Sequence, residues 1–240
     1  MNVIIVGHGQ MGQMIESTLL REGGHSILGI VHPGLFASPF DIPGKADVLI
    51  DFSYPGNLET VLAYGKATGC ALIIGTTGLT KAQTDAITEA ANEVPIVFSS
   101  NYSLGVAALK KAVRLMAQML MENGFDAEIV ETHHHKKADA PSGTAKTLLA
   151  QLDPNNEYDH IYGRSGQVGA RPAREIGIHA VRGGTVAGEH SVYFFGEDET
   201  VELRHSAASR QIFVNGAIRA AKFAVGRDAG LYSTDDVLGM

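Results

Sequence analysis

Segment 131–145 is the part of the chain whose residue types most clearly suggest chemistry. It places five basic or titratable side chains in a row, from His133 to Lys137, in a chain whose formal net charge is −7. A confined positive field attracts an anionic ligand. Histidine exchanges protons near neutral pH, and lysine supplies a point charge for a carboxylate. The segment therefore predicts a site that binds an anion and moves a proton, with a solvated run of charges as the alternative.

The residues after this basic run predict the start of a helix. Ser142 can cap that helix, which leaves the backbone amides of Gly143 and Thr144 to bind an anion. Lys137 lies a few residues upstream. Together these groups form a candidate clamp for a carboxylate.

The three consecutive histidines also suggest a metal site. Successive side chains on a strand point to opposite faces, so His133 and His135 could share a metal ion that His134 could not reach. The neighbouring Lys136 and Lys137 would repel a cation. We therefore expect no metal here. A further alternative is that the histidines are ordinary polar residues at the end of a strand.

A second candidate site is a glycine loop near the N-terminus that fits the pattern G-x-G-x-x-G. It follows the first apolar strand and opens the first helix, which is the context in which this pattern binds dinucleotides. The first glycine permits a tight turn, the second lets the backbone approach the pyrophosphate, and the third lets helix and strand pack closely. The loop predicts binding of NADPH or NADH, against the alternative of a turn without a ligand. Its residues are Gly7, His8, Gly9, Gln10, Met11 and Gly12.

The end of the second predicted strand bears on which dinucleotide binds. An acidic residue there usually holds the ribose hydroxyls of the adenosine, but this strand ends in Ile30, Val31 and His32. A neutral or cationic residue does not repel a 2′-phosphate. His32 therefore predicts a preference for NADPH, or no preference between NADPH and NADH. The alternative is that His32 is an exposed loop residue.

Strands and helices alternate through the first hundred residues, which is typical of a parallel sheet covered on both faces. Ligands of such sheets bind beyond the carboxyl ends of the strands. Strands are predicted over 2–6, 26–31, 47–52, 71–74 and 95–98, and helices over 14–22, about 55–66, and after a capping box at 80–83. We expect the loops after the last two strands to line the nicotinamide pocket. These loops contain Gly75, Thr76, Thr77, Ser99, Ser100, Asn101 and Tyr102.

The second half of the chain has a different pattern. A long amphipathic helix is predicted over 105–121, and strands are predicted over 127–133, 174–181, 186–195 and 200–204. Consecutive strands joined by tight turns indicate an antiparallel or mixed sheet, and hence a second domain of the α+β class. We expect 153–172 to be a long loop and 212–225 to be a closing helix with no strand after it.

Composition and charge limit the classes of function. A net charge of −7 argues against general nucleic-acid or membrane-surface binding, and no apolar run approaches the ~20 residues of a membrane span. The N-terminus lacks the features of a signal peptide, and Cys70 is the only cysteine, so we expect a cytoplasmic protein. A semialdehyde dehydrogenase would need a nucleophilic cysteine, but Cys70 opens a strand that is predicted to be buried.

Segment 131–145 resembles the signature E-x-H-H-x-x-K-x-D-A-P-S-G-T-A of the 4-hydroxy-tetrahydrodipicolinate (dihydrodipicolinate) reductases and fits every fixed position. The similarity departs after the second strand and in the short segment 33–47. The resemblance implies a Rossmann-type dinucleotide domain and a reductase that transfers hydride from NAD(P)H to 4-hydroxy-tetrahydrodipicolinate, giving tetrahydrodipicolinate and water in diaminopimelate and lysine biosynthesis. The other matching stretches are 7–12, 75–78, 99–105, 176–184, 188–190 and 215–217.

The resemblance also implies roles for individual residues. His133 would donate or accept a proton, and Lys137 would polarise or protonate the substrate, a small dicarboxylate. Residues 1–103 with 214–240 would bind the dinucleotide, and 104–213 would bind the substrate and form a homotetramer. A dinucleotide-sensing regulator without turnover is the non-enzymatic alternative. The substrate carboxylates would be bound by His134, Ser142, Gly143 and Thr144.

Overall fold

The computed structural model describes residues 1–239, which divide into two compact units. Unit 1 comprises residues 1–104 and 211–239, and unit 2 comprises Gly105–Arg210. The boundaries expected from the sequence, 103/104 and 213/214, differ from these by one and three residues. Within residues 1–239, none of the helices has the length and apolar character needed to cross a bilayer.

Strands and helices alternate along the first unit, whereas in the second unit most of the strands follow one another without a helix between them. In chain order the strands are β1 Asn2–Val6, β2 Ser26–Val31, β3 Val48–Asp51, β4 Ala71–Ile74, β5 Pro95–Phe98, β6 Asp126–His133, β7 Asp159–Ile161, β8 Glu175–Arg182, β9 Glu189–Phe195, β10 Thr200–Ser206 and β11 Gly230–Tyr232. The helices are α1 Gln10–Glu22, α2 Leu58–Thr68, α3 Lys81–Ala90, α4 Leu104–Leu120, α5 Gly143–Leu152, α6 Gln211–Ala224 and α7 Thr234–Val237. Short 3₁₀ turns occupy Pro39–Asp41, Pro55–Asn57 and Met121–Asn123.

Unit 1 is built on a parallel sheet with the strand order β11-β5-β4-β3-β1-β2. The inner strands are apolar on both sides because each side faces a separate core. Alternate residues of β1 show this: Val3 and Ile5 pack with α1 and α6, whereas Ile4 and Val6 pack with α2 and α3. The Rossmann-type prediction is confirmed, and so is the capping box, in which Thr80 and Gln83 bond each other's backbone amides.

Three expectations for unit 1 need correction. The first helix begins at Gln10 rather than at residue 14, so the last three residues of the glycine loop already belong to its first turn. The second begins at Leu58, because Pro55–Asn57 forms a 3₁₀ turn. The prediction that no strand follows α6 is wrong, since β11 pairs with β5 and extends the sheet. β11 has three residues, begins with glycine, and owes its extended form to this pairing, so local periodicity could not reveal it.

Unit 2 is built on a mixed sheet with the order β10-β9-β6-β8-β7. β6, β8 and β7 run parallel, whereas β9 is antiparallel to both β6 and β10. One face of this sheet packs against α4 and α5 through a core that includes Ile129, Ile178 and Phe194. The α+β prediction is therefore confirmed. The long loop expected over 153–172 is wrong in part, because Asp159–Ile161 forms β7 along β8.

Candidate active site

The glycine loop in unit 1 has the shape that a dinucleotide phosphate requires. Gly7 has φ +92°, a conformation that L side chains rarely adopt. A Cβ at Gly12 would lie 2.0 Å from the carbonyl oxygen of Gly7, so α1 can approach β1 this closely only with glycine there. At Gly9, by contrast, a Cβ would meet no atom within 4 Å. This residue precedes α1 and offers no side-chain cap, so the helix N-terminus faces open space that fits a phosphate.

The two histidines predicted near the cofactor lie together in unit 1. The rings of His8 and His32 meet edge to face with centroids 5.7 Å apart. His8 Nε2 lies 2.7 Å from a carboxylate oxygen of Glu16 in α1. His32 is exposed, and its Nδ1 donates to the carbonyl oxygen of Pro33 at 2.9 Å. The structure thus brings the exposed His32 ring beside the glycine loop.

The loops after β4 and β5 lie at the same edge of the sheet, because these strands are parallel neighbours. Two of the predicted cofactor residues there point their side chains inward. The Thr76 hydroxyl is buried and donates to Asp51 Oδ2 at 2.8 Å. The buried Tyr102 hydroxyl lies 2.9 Å from the carbonyl oxygens of Ile74 and of Val97. These two residues can therefore offer a ligand only their backbone.

The other predicted residues of this edge are accessible to different degrees. A Cβ at Gly75 would lie 2.4 Å from the ring of Phe52, so a larger residue at that position would require this ring to move. Ser99 and Asn101 bond each other, with the Ser99 hydroxyl donating to the Asn101 carbonyl oxygen at 2.8 Å. Ser100 is exposed, and Thr77 is too.

Asp51 is a residue of this edge that the sequence analysis missed. It ends β3, is fully buried, and accepts the Ser53 hydroxyl at 2.5 Å as well as that of Thr76. Burial raises the pKa of Asp51 above its usual value, although these hydrogen bonds act in the opposite direction. The carboxyl ties the loop after β3 to the loop after β4. An acidic residue ending an apolar strand was the signal available in the sequence.

In unit 2 the end of β6 carries a buried carboxylate and imidazole on one face. Glu131 and His133 are two residues apart, so strand geometry points both side chains toward α5. His133 Nδ1 lies 2.5 Å from Glu131 Oε2. Arg182 of β8 donates to both carboxylate oxygens at 2.8 Å. Burial would raise the pKa of Glu131, but the hydrogen bonds from Arg182, His133 and the Ser142 amide outweigh it and lower that pKa.

Ser142 caps the start of α5 as predicted, and its hydroxyl already has two hydrogen-bonding partners. The hydroxyl oxygen accepts the amide of Ala145 at 3.1 Å and lies 3.0 Å from His190 Nε2. Burial lowers the pKa of His190 to about 4, so this ring is neutral at physiological pH. Gly143, the first residue of the helix, is exposed, and a Cβ there would meet no atom within 4 Å. The open end of α5 is thus at Gly143 and not at the Ser142 side chain.

The five residues of the basic run differ in how far they are exposed to solvent. His133 is buried, whereas His135 and Lys136 are exposed. Burial, followed by the charges of Arg210 and of His133, lowers the pKa of His134. Lys137 Nζ lies 2.8 Å from Asp139 Oδ1, and the Lys137 ammonium lowers the pKa of that carboxyl. A tight turn directly after His133 joins His134 to Lys137, because the Lys137 amide donates to the His134 carbonyl oxygen at 3.1 Å.

Sequence reasoning assigned no role to three residues that complete this cluster: Glu131, Arg182 and His190. All three lie in stretches that carry the resemblance, and Glu131 stands in the signature itself. A carboxylate two residues before a histidine on a strand was the available signal. The partners across the sheet, Arg182 and His190, had none, because their contacts depend on strand register.

Nearly the whole chain is similar to proteins of one known family. Residues 1–102 match the family model "Dihydrodipicolinate reductase, N-terminus", and residues 105–238 match "Dihydrodipicolinate reductase, C-terminus". A 4-hydroxy-tetrahydrodipicolinate reductase of an Exiguobacterium species is 40% identical over 99% of this chain and 95% of its own length. The reductase of that name from Akkermansia muciniphila is 43% identical over 100% of this chain and 98% of its own length.

A solved structure shows the same fold. The dihydrodipicolinate reductase from Paenisporosarcina sp. TG-14, determined with dipicolinate bound, superimposes with a TM-score of 0.76. The alignment covers 97% of each chain at 22% sequence identity.

Proposed function

The chain belongs to the 4-hydroxy-tetrahydrodipicolinate reductase family, and we propose which of its residues carry out the family's reaction. The protein is an NAD(P)H-dependent reductase of diaminopimelate and lysine biosynthesis. The observation that carries the proposal is the buried Glu131–His133 pair at the end of β6, next to Lys137 and the open end of α5. Unit 1 holds the dinucleotide, and unit 2 binds the substrate.

The glycine loop and its neighbours hold NAD(P)H. The open space at Gly9 admits the pyrophosphate to the start of α1, where backbone amides and the helix dipole favour negative charge. His32 directly follows β2, the position from which a residue usually contacts the adenosine ribose of a bound dinucleotide. The loops at 75–77 and 99–102 line the nicotinamide. When bound, the cofactor supplies a hydride, which is one proton together with two electrons.

The substrate carboxylates bind at the start of α5. Gly143 is exposed there, and the amides of the first turn favour an anion. Lys137 adds a point charge and can exchange Asp139 for a substrate carboxylate. His134 and Thr144 complete the set. Ser142 contributes through its place in the backbone, because its hydroxyl is already bonded.

His133 moves the proton that the reduction requires. The 4-hydroxyl leaves as water together with a hydrogen from a neighbouring ring carbon, and the substrate would gain a hydride from NAD(P)H and a proton from the enzyme, so atoms and charge balance. With Nδ1 bonded to Glu131, the other ring nitrogen, Nε2, is the one that can exchange a proton. Lys137 polarises the substrate as electron density moves onto it, and a positioned cation strengthens that interaction as charge develops.

The outer face of the unit 2 sheet supports assembly into a homotetramer. Tyr193 and Phe195 stack on this face with ring centroids 5.6 Å apart. Val181 and Phe195 on the same face are 48% and 41% exposed, and we propose that neighbouring subunits cover them. We place the protein in the cytoplasm, where its reduced dinucleotide is available.

Substitution of the proposed catalytic residues tests this function. We expect His133→Ala and Lys137→Ala each to lower kcat by about 10²- to 10⁴-fold, the usual contribution of a positioned acid or base. Their affinity for NADPH should stay nearly unchanged. The exposed neighbours His135→Ala and Lys136→Ala serve as matched controls. NADPH consumption with enzymatically generated substrate gives the rate. Full activity of both catalytic variants would refute the assignment, and an inactive wild-type protein that still binds NADPH would favour the regulator.

A further inference from the structure

The carboxylate of Glu131 accepts four hydrogen bonds, two at each oxygen. Oε2 lies 2.5 Å from His133 Nδ1 and 2.8 Å from a guanidinium nitrogen of Arg182. Oε1 lies 2.8 Å from the other terminal nitrogen of Arg182 and 3.0 Å from the Ser142 amide nitrogen. The side chain is 0% exposed. Both oxygens therefore meet only donors, and no solvent relieves a mismatch.

We propose that Glu131 is a positioning residue that keeps the neutral His133 ring protonated at Nδ1 and presents Nε2 for proton exchange. The inference rests on the proposed role of His133. The Glu131 carboxylate can only accept, so the facing ring nitrogen must carry a hydrogen. Nε2 has no hydrogen bond to another residue in 1–239 and lies 3.0 Å from the position that a Cβ on Gly188 would take. The absent side chain at Gly188 leaves that nitrogen uncovered.

The same carboxylate couples His133 to the start of α5. Ser142 is the N-cap of that helix, and its amide donates to Glu131 Oε1. A single side chain thus positions both the proton-exchanging ring and the segment proposed to bind the substrate carboxylate. Arg182 holds the carboxylate in place through a bidentate contact, which fixes orientation better than one bond does.

Replacement of Glu131 by glutamine makes a specific prediction. A glutamine amide has one acceptor end and one donor end, so its NH₂ end must face donors whichever way the amide turns. Arg182 donates at both oxygen positions, so the orientation depends on the Ser142 amide and on His133. The Ser142 amide is a backbone donor that cannot change, whereas a neutral imidazole can move its proton to the other nitrogen. In Glu131→Gln we therefore expect the amide oxygen to face Ser142 and the NH₂ group to face His133, whose proton then moves to Nε2.

Glu128→Gln provides a matched control on the same strand. Glu128 is also buried and also accepts four hydrogen bonds, all of them from side chains: two from Arg164, one from Arg171 and one from His179. It lies on the opposite face of β6, because it is an odd number of residues from Glu131. It contacts none of the residues proposed to act on the substrate. The chemical change is identical at the two positions.

The test combines nitrogen-15 NMR of histidine-labelled protein with steady-state kinetics. In alkaline buffer, wild type and Glu128→Gln should show His133 protonated at Nδ1, and Glu131→Gln should show it protonated at Nε2. Comparison with His133→Asn assigns the signals. We expect kcat of Glu131→Gln to fall by on the order of 10²-fold, the lower end of a positioned acid–base contribution. Its KM should change much less, and Glu128→Gln should keep the wild-type kcat.

The outcomes separate this proposal from the proposed function. A wild-type His133 protonated at Nε2 would overturn the proposal even if Glu131→Gln failed to fold. An unchanged tautomer in folded Glu131→Gln would overturn it too, while leaving the result for His133→Ala intact. Unaltered turnover in His133→Ala would instead remove the catalytic role of His133.

Discussion

Replacement of Gly12 by alanine tests the packing that forms the dinucleotide loop. The added Cβ would lie 2.0 Å from the Gly7 carbonyl oxygen, whereas ordinary contact begins near 3.4 Å. The backbones of β1 and α1 must therefore separate by about 1.4 Å. Overpacking of this kind costs about 1–3 kcal/mol, and we expect the upper end because the clash is with backbone. Alanine returns about 1 kcal/mol through its helix propensity, which leaves a net loss of about 2 kcal/mol.

Gly9→Ala is the matched variant in the same loop. No atom lies within 4 Å of its added Cβ, and the φ of −72° suits alanine. We therefore expect a stability change below about 1 kcal/mol. The methyl group would instead hold the pyrophosphate away from the first amides of α1. Loss of one charge-assisted hydrogen bond costs about 1.5–3 kcal/mol, which weakens NADPH binding by about 10- to 100-fold.

Thermal unfolding and fluorescence titration with NADPH distinguish the two variants. A loss of about 2 kcal/mol lowers Tm by about 4–8 °C in a chain of this size, so Gly12→Ala should show that shift and Gly9→Ala should not. NADPH binding by Gly9→Ala at wild-type affinity would show that the loop does not hold the phosphates. A wild-type Tm for Gly12→Ala would show that β1 and α1 are not packed as described.

Two further predictions concern ionisable groups. Burial raises the pKa of Cys70 to about 12, so the thiol should resist a thiol reagent in native protein and react once it is denatured; a native reaction at the rate of a free thiol would contradict this. Bonds from Arg164, His179 and Arg171 outweigh burial and lower the pKa of Glu128 to about 2. Its stabilising contribution is therefore present above the ordinary carboxyl pKa and is lost as pH falls toward about 2. The difference in unfolding free energy between wild type and Glu128→Gln, measured by urea unfolding, should be positive at pH 7 and shrink over that range; a constant difference would refute it.

The elements predicted correctly from sequence are those whose signal is local. The alternation of apolar runs and helical periods in the first hundred residues is set by which side chains can be buried on each face, and that pattern is written along the chain. The glycine loop, the Thr80 capping box and the Ser142 cap depend on neighbours within a few residues. By contrast, β7 and β11 carry no such local signal and were missed. Each is a three-residue strand, and β7 depends on pairing with β8 as β11 does on pairing with β5.

The geometry of the active site depended on tertiary structure. Arg182 and Glu131 are 51 residues apart, and His190 and Ser142 are 48 apart, so each contact requires the register of β8 and β9 against β6. In unit 1, the pairing of β3, β4 and β5 likewise brings the buried hydroxyls of Thr76 and Tyr102 against Asp51 and against strand carbonyl oxygens, although sequence reasoning had directed these residues toward the cofactor. The sequence by itself determined which chemical groups were available and in which order the elements follow. Only the packed sheets decided which of those groups meet, because strand pairing joins residues whose separation along the chain carries no local signal.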